Sequence, residues 1–514
     1  MATGRGPGAR VSSEPVSSPP GSPSKASSPA FPPIPLSALV EAVPAAEARG
    51  DLAVSILDVA HDSQAVGPGA VFFCVPGGSV DGHDYARDAL DAGAAAIVVE
   101  RWLDLPATQV RVPSVRAAMG PISAVAFRDP AAGMTMLGVT GTNGKTTVTH
   151  LLEAIVRRAG RRPGMIGTTG ARVDGAPVPL DRTTPEAPDL HRLLARMREA
   201  EVEVVAMEVS SHALDQDRVG GVVFDAVAFT NLSQDHLDYH ASMEEYFSAK
   251  AELFRPSHAR RGFVNADDPW GRRIAGSATI PVSTFSVAAG SDLRATDVQV
   301  SRAGLEFRVD ELRVRSRLRG GFNVSNCLAS IALARAAGVD DDATLAGIAD
   351  VSEVPGRVEP IEEGQEFLVV VDYAHTPDSI LGVLQATRPL TSGRLIVVFG
   401  CGGDRDRAKR PLMGKAATST ADLTVVTSDN PRSEDPLAII AEIERGATEG
   451  GGDYVIEPDR GAAIDRAVAT AEPGDAVVIA GKGHERYQEF ADRTIEFDDR
   501  EEARRALRSL GGSR

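Results

Sequence analysis

Cysteine is scarce in this sequence of 514 residues: Cys74, Cys327 and Cys401 are far apart and odd in number. That argues against a disulfide framework and for a reducing compartment, so a cytoplasmic protein is expected. Long apolar runs are missing as well. Residues 368–371 and 476–480 are among the apolar stretches, far short of the roughly 20 residues a membrane-spanning helix needs, so no membrane insertion is expected. Basic charge is also short, with 54 Lys and Arg against 71 Asp and Glu, a formal net charge of −17, and no local basic patch offsets it. Such a field repels a nucleic-acid backbone, and no nucleic acid is expected as a partner. An anionic small substrate stays open, because its site needs only a few arginines, a helix N-terminus and a metal ion.

What is present is an ordinary globular composition, 43% hydrophobic and 24% charged. At roughly 100–200 residues per domain the chain divides into about three. Residues 1–30 hold eight Ser, six Pro and four Gly with almost no large apolar side chain. They cannot bury enough surface to offset their ordering entropy, so a disordered tail is expected over 1–32. From 33 to 131, apolar runs at 70–75 and 95–99 alternate with alanine-rich helical stretches such as 85–92, a small α/β domain. Beyond Met134, short β-branched runs alternate with amphipathic helical patterns, the signature of βαβ units and parallel sheets. One series runs at 134–140, 202–209 and 225–230, and a second at 367–371, 394–399, 423–427 and 476–480. Between them 320–337 reads as helix, and Val354-Pro355-Gly356 as a linker. The expected fold class is therefore α/β, with domains over 33–131, 132–354 and 355–514.

Polar clusters follow the apolar runs: 141–147, 208–212 and 231–240 in the first series, then 372–377, 400–406, 428–432 and 481–485 in the second. Ligands of open parallel sheets bind outside the carboxyl ends of the strands, so both domains are expected to line one cleft. In the first cluster, Gly141-Thr142-Asn143-Gly144-Lys145-Thr146-Thr147 lies between an apolar strand and the helical pattern 150–158, the context of a phosphate-binding loop. Glycines let backbone N–H groups close on phosphate, Lys145 supplies a point charge, and Thr146 can hold Mg²⁺. The match to G-x-x-x-x-G-K-[ST] is displaced, because Val139 stands five residues before Gly144 and the glycine is Gly138. Glu208 ends an apolar run, where a carboxylate either reaches a metal held by Thr146 or caps a helix. His236, in the third cluster, is either a structural histidine or, by its position at a third strand end, a second ligand. Met243, Phe247 and Phe254 share a helical face, and Lys250 falls on it. Lysine rarely goes there unpaired, so Lys250 either snorkels or has a function. Later, Arg405, the run Asp429-Asn430-Pro431-Arg432 and the run from Gly481 to Glu485 place arginines and a glutamate at adjacent sheet edges, a set suited to a zwitterionic ligand.

Together these residues resemble the Mur ligase family from about residue 50 to the C-terminus. The matching elements are G-T-N-G-K-T-T, T-T-P-E at 183–186, E-V-S-S-H at 208–212, Y-F-S-A-K at 246–250, N-V-S-N at 323–326, D-Y-A-H-T-P at 372–377, D-N-P-R and G-K-G-H-E. The resemblance implies an N-terminal domain for a UDP moiety, a P-loop-type central ATPase domain and a Rossmann-like C-terminal domain. It implies ATP and Mg²⁺, and ligation of meso-diaminopimelate to UDP-N-acetylmuramoyl-L-alanyl-D-glutamate through an acyl phosphate, in cytoplasmic peptidoglycan precursor synthesis by a monomer. By the same resemblance Gly141, Thr142, Asn143, Gly144, Lys145, Thr146 and Thr147 hold phosphates, and Asn323, Arg357 and Asp372 surround the nucleotide. Thr146, Glu208, His236 and Lys250 are the implied metal ligands, Lys250 as a carbamate; Lys145 joins the last three as the catalytic set. Ser63, Thr183, Thr184, Ser210 and Arg218 match contacts to the UDP-linked substrate, and Arg405, Asp429, Asn430, Arg432, Gly481 and Glu485 match those to diaminopimelate. The usual D-S-R of the first domain is Asp62-Ser63-Gln64 here. The competing readings are a ligase adding L-lysine or another amino acid, one like folylpolyglutamate synthetase, and a nucleotide-binding protein that has lost ligation. D-N-P-R beside G-K-G-H-E opposes the other ligases, and retention of Lys250 and the third-domain clusters opposes the last.

Overall fold

The structure is a computed structural model that describes residues 32–77, 80–288 and 290–511; the tail expected over 1–32 lies, apart from Pro32, outside them. Among those residues the strands form three large sheets. The first runs in the order Glu47–Arg49, Thr108–Arg111, Ala96–Val99, Ala70–Phe73, Asp58–Ala60, parallel except at Glu47–Arg49. The central sheet has a parallel core in the order Pro163–Gly167, Val204–Glu208, Thr135–Thr140, Ala226–Phe229, Gly262–Asn265, Val282–Ser286 and Leu293–Ser301. The third is parallel in the order Leu368–Asp372, Ala476–Ala480, Leu395–Phe399, Leu423–Val426, Asp453–Ile456, with Glu359–Pro360 antiparallel at its edge.

The β-branched runs become parallel strands because both of their faces are covered. Val204, Val205, Ala206 and Met207 are all buried, Val204 and Ala206 against one apolar layer and Val205 and Met207 against the other. The helix Lys145–Arg158 supplies part of the first layer. Its Val148, Leu151, Leu152, Ile155 and Val156 recur at helical spacing and are buried. This helix starts five residues before the apolar pattern announces it. Thr146 and Thr147 occupy its first turn and carry no apolar signal, whereas Gly144, at φ +89, makes the left-handed turn into it.

Both edges of the central sheet were absent from the apolar-run reading. They are antiparallel additions, Gly170–Val173 with Ala176–Val178 on one side and Gly304–Val309 with Leu312–Ser316 on the other. Half-exposed strands alternate rather than run: Leu305, Phe307 and Val309 point into the core while Arg308 is exposed.

Candidate active site

The site forms where the carboxyl ends of the central and third sheets meet. After Thr135–Thr140 the chain turns through Gly141, whose φ of +147 leaves no room for a side chain: a Cβ there would lie 1.9 Å from Thr230 Oγ1. Gly144 is equally confined by Asn326 Oδ1, 2.4 Å from the place of a Cβ. The loop is thus wedged between the next strand end and the helix Phe322–Ala336. Thr230 Oγ1 donates to Asn143 O at 2.6 Å, and Asn231 Oδ1 accepts from Asn143 N at 2.9 Å.

Three basic side chains converge on this loop, none of them with a carboxylate within ion-pair distance among the described residues. Lys145 Nζ donates to Gly141 O and Thr142 O, both at 2.9 Å. Lys250 Nζ donates to the same Gly141 O at 2.9 Å from a fully buried position, 4.6 Å from the Tyr246 ring centroid. Lys250 therefore does not snorkel. Arg357 donates to Thr146 Oγ1 at 3.1 Å and lies over the Tyr373 ring, while its buried Nε has no partner. Burial pulls Lys145 below the ordinary lysine value, and burial with the like charge of Lys145 pulls Lys250 well below it.

Glu208, at the end of its strand, is buried and accepts from Thr168 N at 2.9 Å and Thr168 Oγ1 at 3.0 Å, so its carboxylate is held by the neighbouring strand end and caps no helix. His236 adopts φ +55 and stands 4.7 Å from the His212 ring; loss of hydration lowers its pKa to about 3, leaving a neutral imidazole. No three His, Cys, Asp or Glu side chains of the described residues form a ready-made metal cluster. Asp372 is buried and spends its carboxylate on Val358 N and Ala374 N, which fixes the turn carrying Arg357. Asn323 likewise bonds inside the fold, to Arg319 O and Asn326 Nδ2.

Beside Glu208, Thr183 Oγ1 meets Thr168 Oγ1 at 3.1 Å, Thr184 Oγ1 donates to Glu208 O at 2.9 Å, and Ser210 caps the helix Ser211–Asp215. Arg218 reaches Thr184 O and Gln216, and pairs with the buried Glu186 at 3.1 Å. Glu186 also takes Arg182 and, from the helix Val115–Ala126 of the first sheet, Arg116 at 2.8 Å. Burial pushes the Glu186 carboxyl upward, but these three guanidiniums prevail and hold it below the usual range. Ser63 stands apart: it lies in the short turn Ser63–Ala65, and no hydrogen bond joins it to the cluster among the described residues.

The third sheet faces this edge directly. His375 Nε2 lies 3.6 Å from Asp235 Oδ2, and Gln234 donates to Asp406 at 3.5 Å. Here the charges pair with one another. Arg432 Nε donates to Glu489 at 3.0 Å and its Nη1 to Gly403 O at 2.8 Å. Asn430 Nδ2 donates to Glu485 at 2.8 Å. Gly481, at φ +118, lets the chain pass Asp429, whose Oδ2 would lie 2.5 Å from a Cβ. Arg405 is exposed and has no carboxylate partner among the described residues, its Nη1 donating to Asp404 O.

Several residues of this site escaped sequence reasoning: Thr168, Asn326, Glu186 and Lys482. Thr168 follows the strand Pro163–Gly167 and obeys the same rule of polar residues at strand ends, so that rule had the means to find it. For the others the motifs were visible, but their partners were not.

Three family models match the chain: the Mur ligase family catalytic domain over 56–126, the Mur ligase middle domain over 139–334, and the Mur ligase glutamate ligase domain over 356–483. A UDP-N-acetylmuramoyl-L-alanyl-D-glutamate--2,6-diaminopimelate ligase of Geobacillus thermodenitrificans is 46% identical over 464 residues, 88% of this chain and 95% of the relative. A protein of the same name from Streptomyces coelicolor is 45% identical over 498 residues, 92% of this chain and 98% of the relative. A solved structure of a ligase with that name superposes with a TM-score of 0.66 at 33% identity, covering 93% of this chain and 99% of the other.

Proposed function

This chain belongs to the Mur ligase family, and from that premise we infer its reaction: it is an ATP-dependent ligase that adds meso-2,6-diaminopimelate to UDP-N-acetylmuramoyl-L-alanyl-D-glutamate for peptidoglycan synthesis. The D-glutamyl carboxylate takes the γ-phosphoryl group of ATP, the bond to the β-phosphate breaks, and ADP leaves. The amine of diaminopimelate then attacks the acyl phosphate; the amide forms and orthophosphate departs. No described helix is long and apolar enough to cross a membrane. We place the reaction in the cytoplasm and assign it to a monomer.

The observation that carries this reading is the pair of cations, Lys145 and Arg357, set around Gly141–Thr147 without a carboxylate in ion-pair distance among the described residues. Burying charge is costly unless it is compensated, and a polyphosphate supplies the compensation. Glycines confined at Gly141 and Gly144 and the orphaned Arg357 Nε fit such a ligand. Lys145 would neutralise the transferring phosphoryl group, with the N-terminus of Lys145–Arg158 behind it. Thr146, Glu208 and His236 would hold Mg²⁺, which when bound screens phosphate charge. Lys250 fits a metal only after its neutral amine, favoured by burial, adds to CO₂ and loses a proton to become a carbamate. Thr183, Thr184, Ser210 and Arg218 would orient the muramoyl-dipeptide beside Glu208, with Ser63 on the uridine side. Arg405, Asp429, Asn430, Arg432, Gly481 and Glu485 would hold diaminopimelate. Because Arg432 Nε is engaged by Glu489, a substrate carboxylate would meet the end of its fork rather than its side.

The test is mass spectrometry of the product from ATP, the UDP-linked dipeptide and a mixture of diaminopimelate, L-lysine and D-alanine. A single product carrying diaminopimelate is expected. A product carrying another amino acid, or ATP turnover without ligation, contradicts the reading.

A further inference from the structure

Lys482 follows the strand Ala476–Ala480, between Gly481 and Gly483, and its side chain is fully buried. Its ammonium donates to Asn430 Oδ1 at 2.9 Å and to Glu485 Oε2 at 3.1 Å. Asn430 Nδ2 reaches the same Oε2 at 2.8 Å, and the Tyr487 ring closes over the lysine at 5.5 Å. One oxygen of Glu485 is therefore saturated by an internal cation. Oε1 has no hydrogen-bond partner among the described residues. Resting on the reading of this edge as the amino-acid site, we propose that Lys482 is a specificity-determining residue: by neutralising Glu485 it makes the edge accept an amino acid whose far end is a zwitterion and refuse one whose far end is a lone cation.

The charges next to it support the same selection. Arg432 is neutralised by Glu489, and Arg405 is the cation left over. A far-end carboxylate satisfies Arg405 and the open end of Arg432, while a far-end ammonium sits on Glu485 Oε1. L-lysine brings the ammonium without the carboxylate. It would set a second ammonium beside the fixed one of Lys482 with the single Glu485 carboxylate to offset both, and specificity arises from that repulsion as much as from attraction. An unpaired Glu485 would welcome the lysine side chain instead. A purely structural Lys482, tying Asn430 in place, would affect every amino acid alike.

The full-length enzyme, saturated with ATP and the UDP-linked dipeptide, is assayed for kcat/KM with meso-diaminopimelate, L-lysine and 2-aminopimelate, the last carrying the far carboxylate without its amine. Lys482→Met should lower the preference for diaminopimelate over lysine by about tenfold or more, mainly through a lower lysine KM. Glu485→Gln leaves Lys482 uncompensated and should shift preference from diaminopimelate toward 2-aminopimelate by about tenfold. A folded Lys482→Met enzyme whose diaminopimelate-to-lysine ratio matches the wild type overturns the proposal. If that variant does not fold, an unchanged diaminopimelate-to-2-aminopimelate ratio in Glu485→Gln overturns it alone. A wild-type enzyme that ligates none of the three overturns the functional reading, and this inference with it.

Discussion

The two sheet edges that face each other handle charge in opposite ways. At the central edge Lys145, Lys250 and Arg357 are held by backbone carbonyls, a hydroxyl and aromatic rings, with no ion pair among the described residues. At the third edge Lys482 pairs with Glu485, Arg432 with Glu489 and Arg410 with Glu434. On the proposed reading, the difference follows from what each edge holds. Unpaired Lys145 and Arg357 are completed by a polyanion, whereas an edge whose charges are paired but for Arg405 suits a ligand of little net charge. On the proposed reading, the same cleft sets a phosphate-handling wall against an amino-acid wall that differ in how their charges are compensated.

Breaking the central wall should cost the most. Lys145→Ala is expected to lower kcat by on the order of 10³-fold while the melting temperature stays within a few degrees, because it removes a charge aimed at the phosphoryl group and not a core contact. Near-wild-type turnover would remove the loop from the chemistry. Next comes Lys250→Ala, expected to lose about 10²-fold in activity, with partial recovery when a small carboxylate is added to fill the vacated ligand position. A loss that no carboxylate restores would refute the carbamate.

Weakening the third wall should act on the amino acid alone. In Arg432→Ala, kcat/KM for diaminopimelate is expected to fall by about 10²-fold, with KM for ATP unchanged and residual lysine use nearly so. Equal losses for both amino acids would make Arg432 structural. The smallest effect concerns the frame beneath that wall. Hydrogen bonds from the fully buried Arg410 hold the Glu434 pKa at about 2, below the ordinary glutamate value of 4.5. A depressed carboxyl contributes stability that is present above the unfolded value and lost as pH falls through the folded one. Glu434→Gln should therefore melt earlier at neutral pH and lose part of the wild type's acid sensitivity between pH 4.5 and about 2. Parallel melting curves against pH would show that the pair contributes nothing.

Much of this contrast was legible in sequence, and its limits have physical causes. The strand Ala476–Ala480 appeared with its observed bounds, because a strand buried on both faces is a continuous apolar run with polar residues at its end. The rule that ligands gather outside strand carboxyl ends brings residues 141–147, 208–212 and 481–485 toward one cleft from the sequence alone. Lys250 was conspicuous because a cation at an apolar helical position contradicts the pattern around it. Lys482 was printed in G-K-G-H-E, yet nothing local says that its ammonium meets Asn430, 52 residues earlier, since that pairing depends on strand order in the sheet. The three arginines on Glu186 were hidden for the same reason, one of them coming from the helix beside the first sheet.

The contrast itself is measured most directly by salt dependence. Attraction of a polyanion to an unpaired cationic wall is screened by salt, whereas a zwitterion on a neutralised wall gains little from the long-range field and loses little. Titration calorimetry should give a Kd for Mg·ADP that rises steeply from low to high KCl, while the steady-state KM for diaminopimelate, with the other substrates saturating, stays nearly flat over the same range. Equal slopes for the two ligands, or a flat ADP affinity, would contradict the assignment of the two walls.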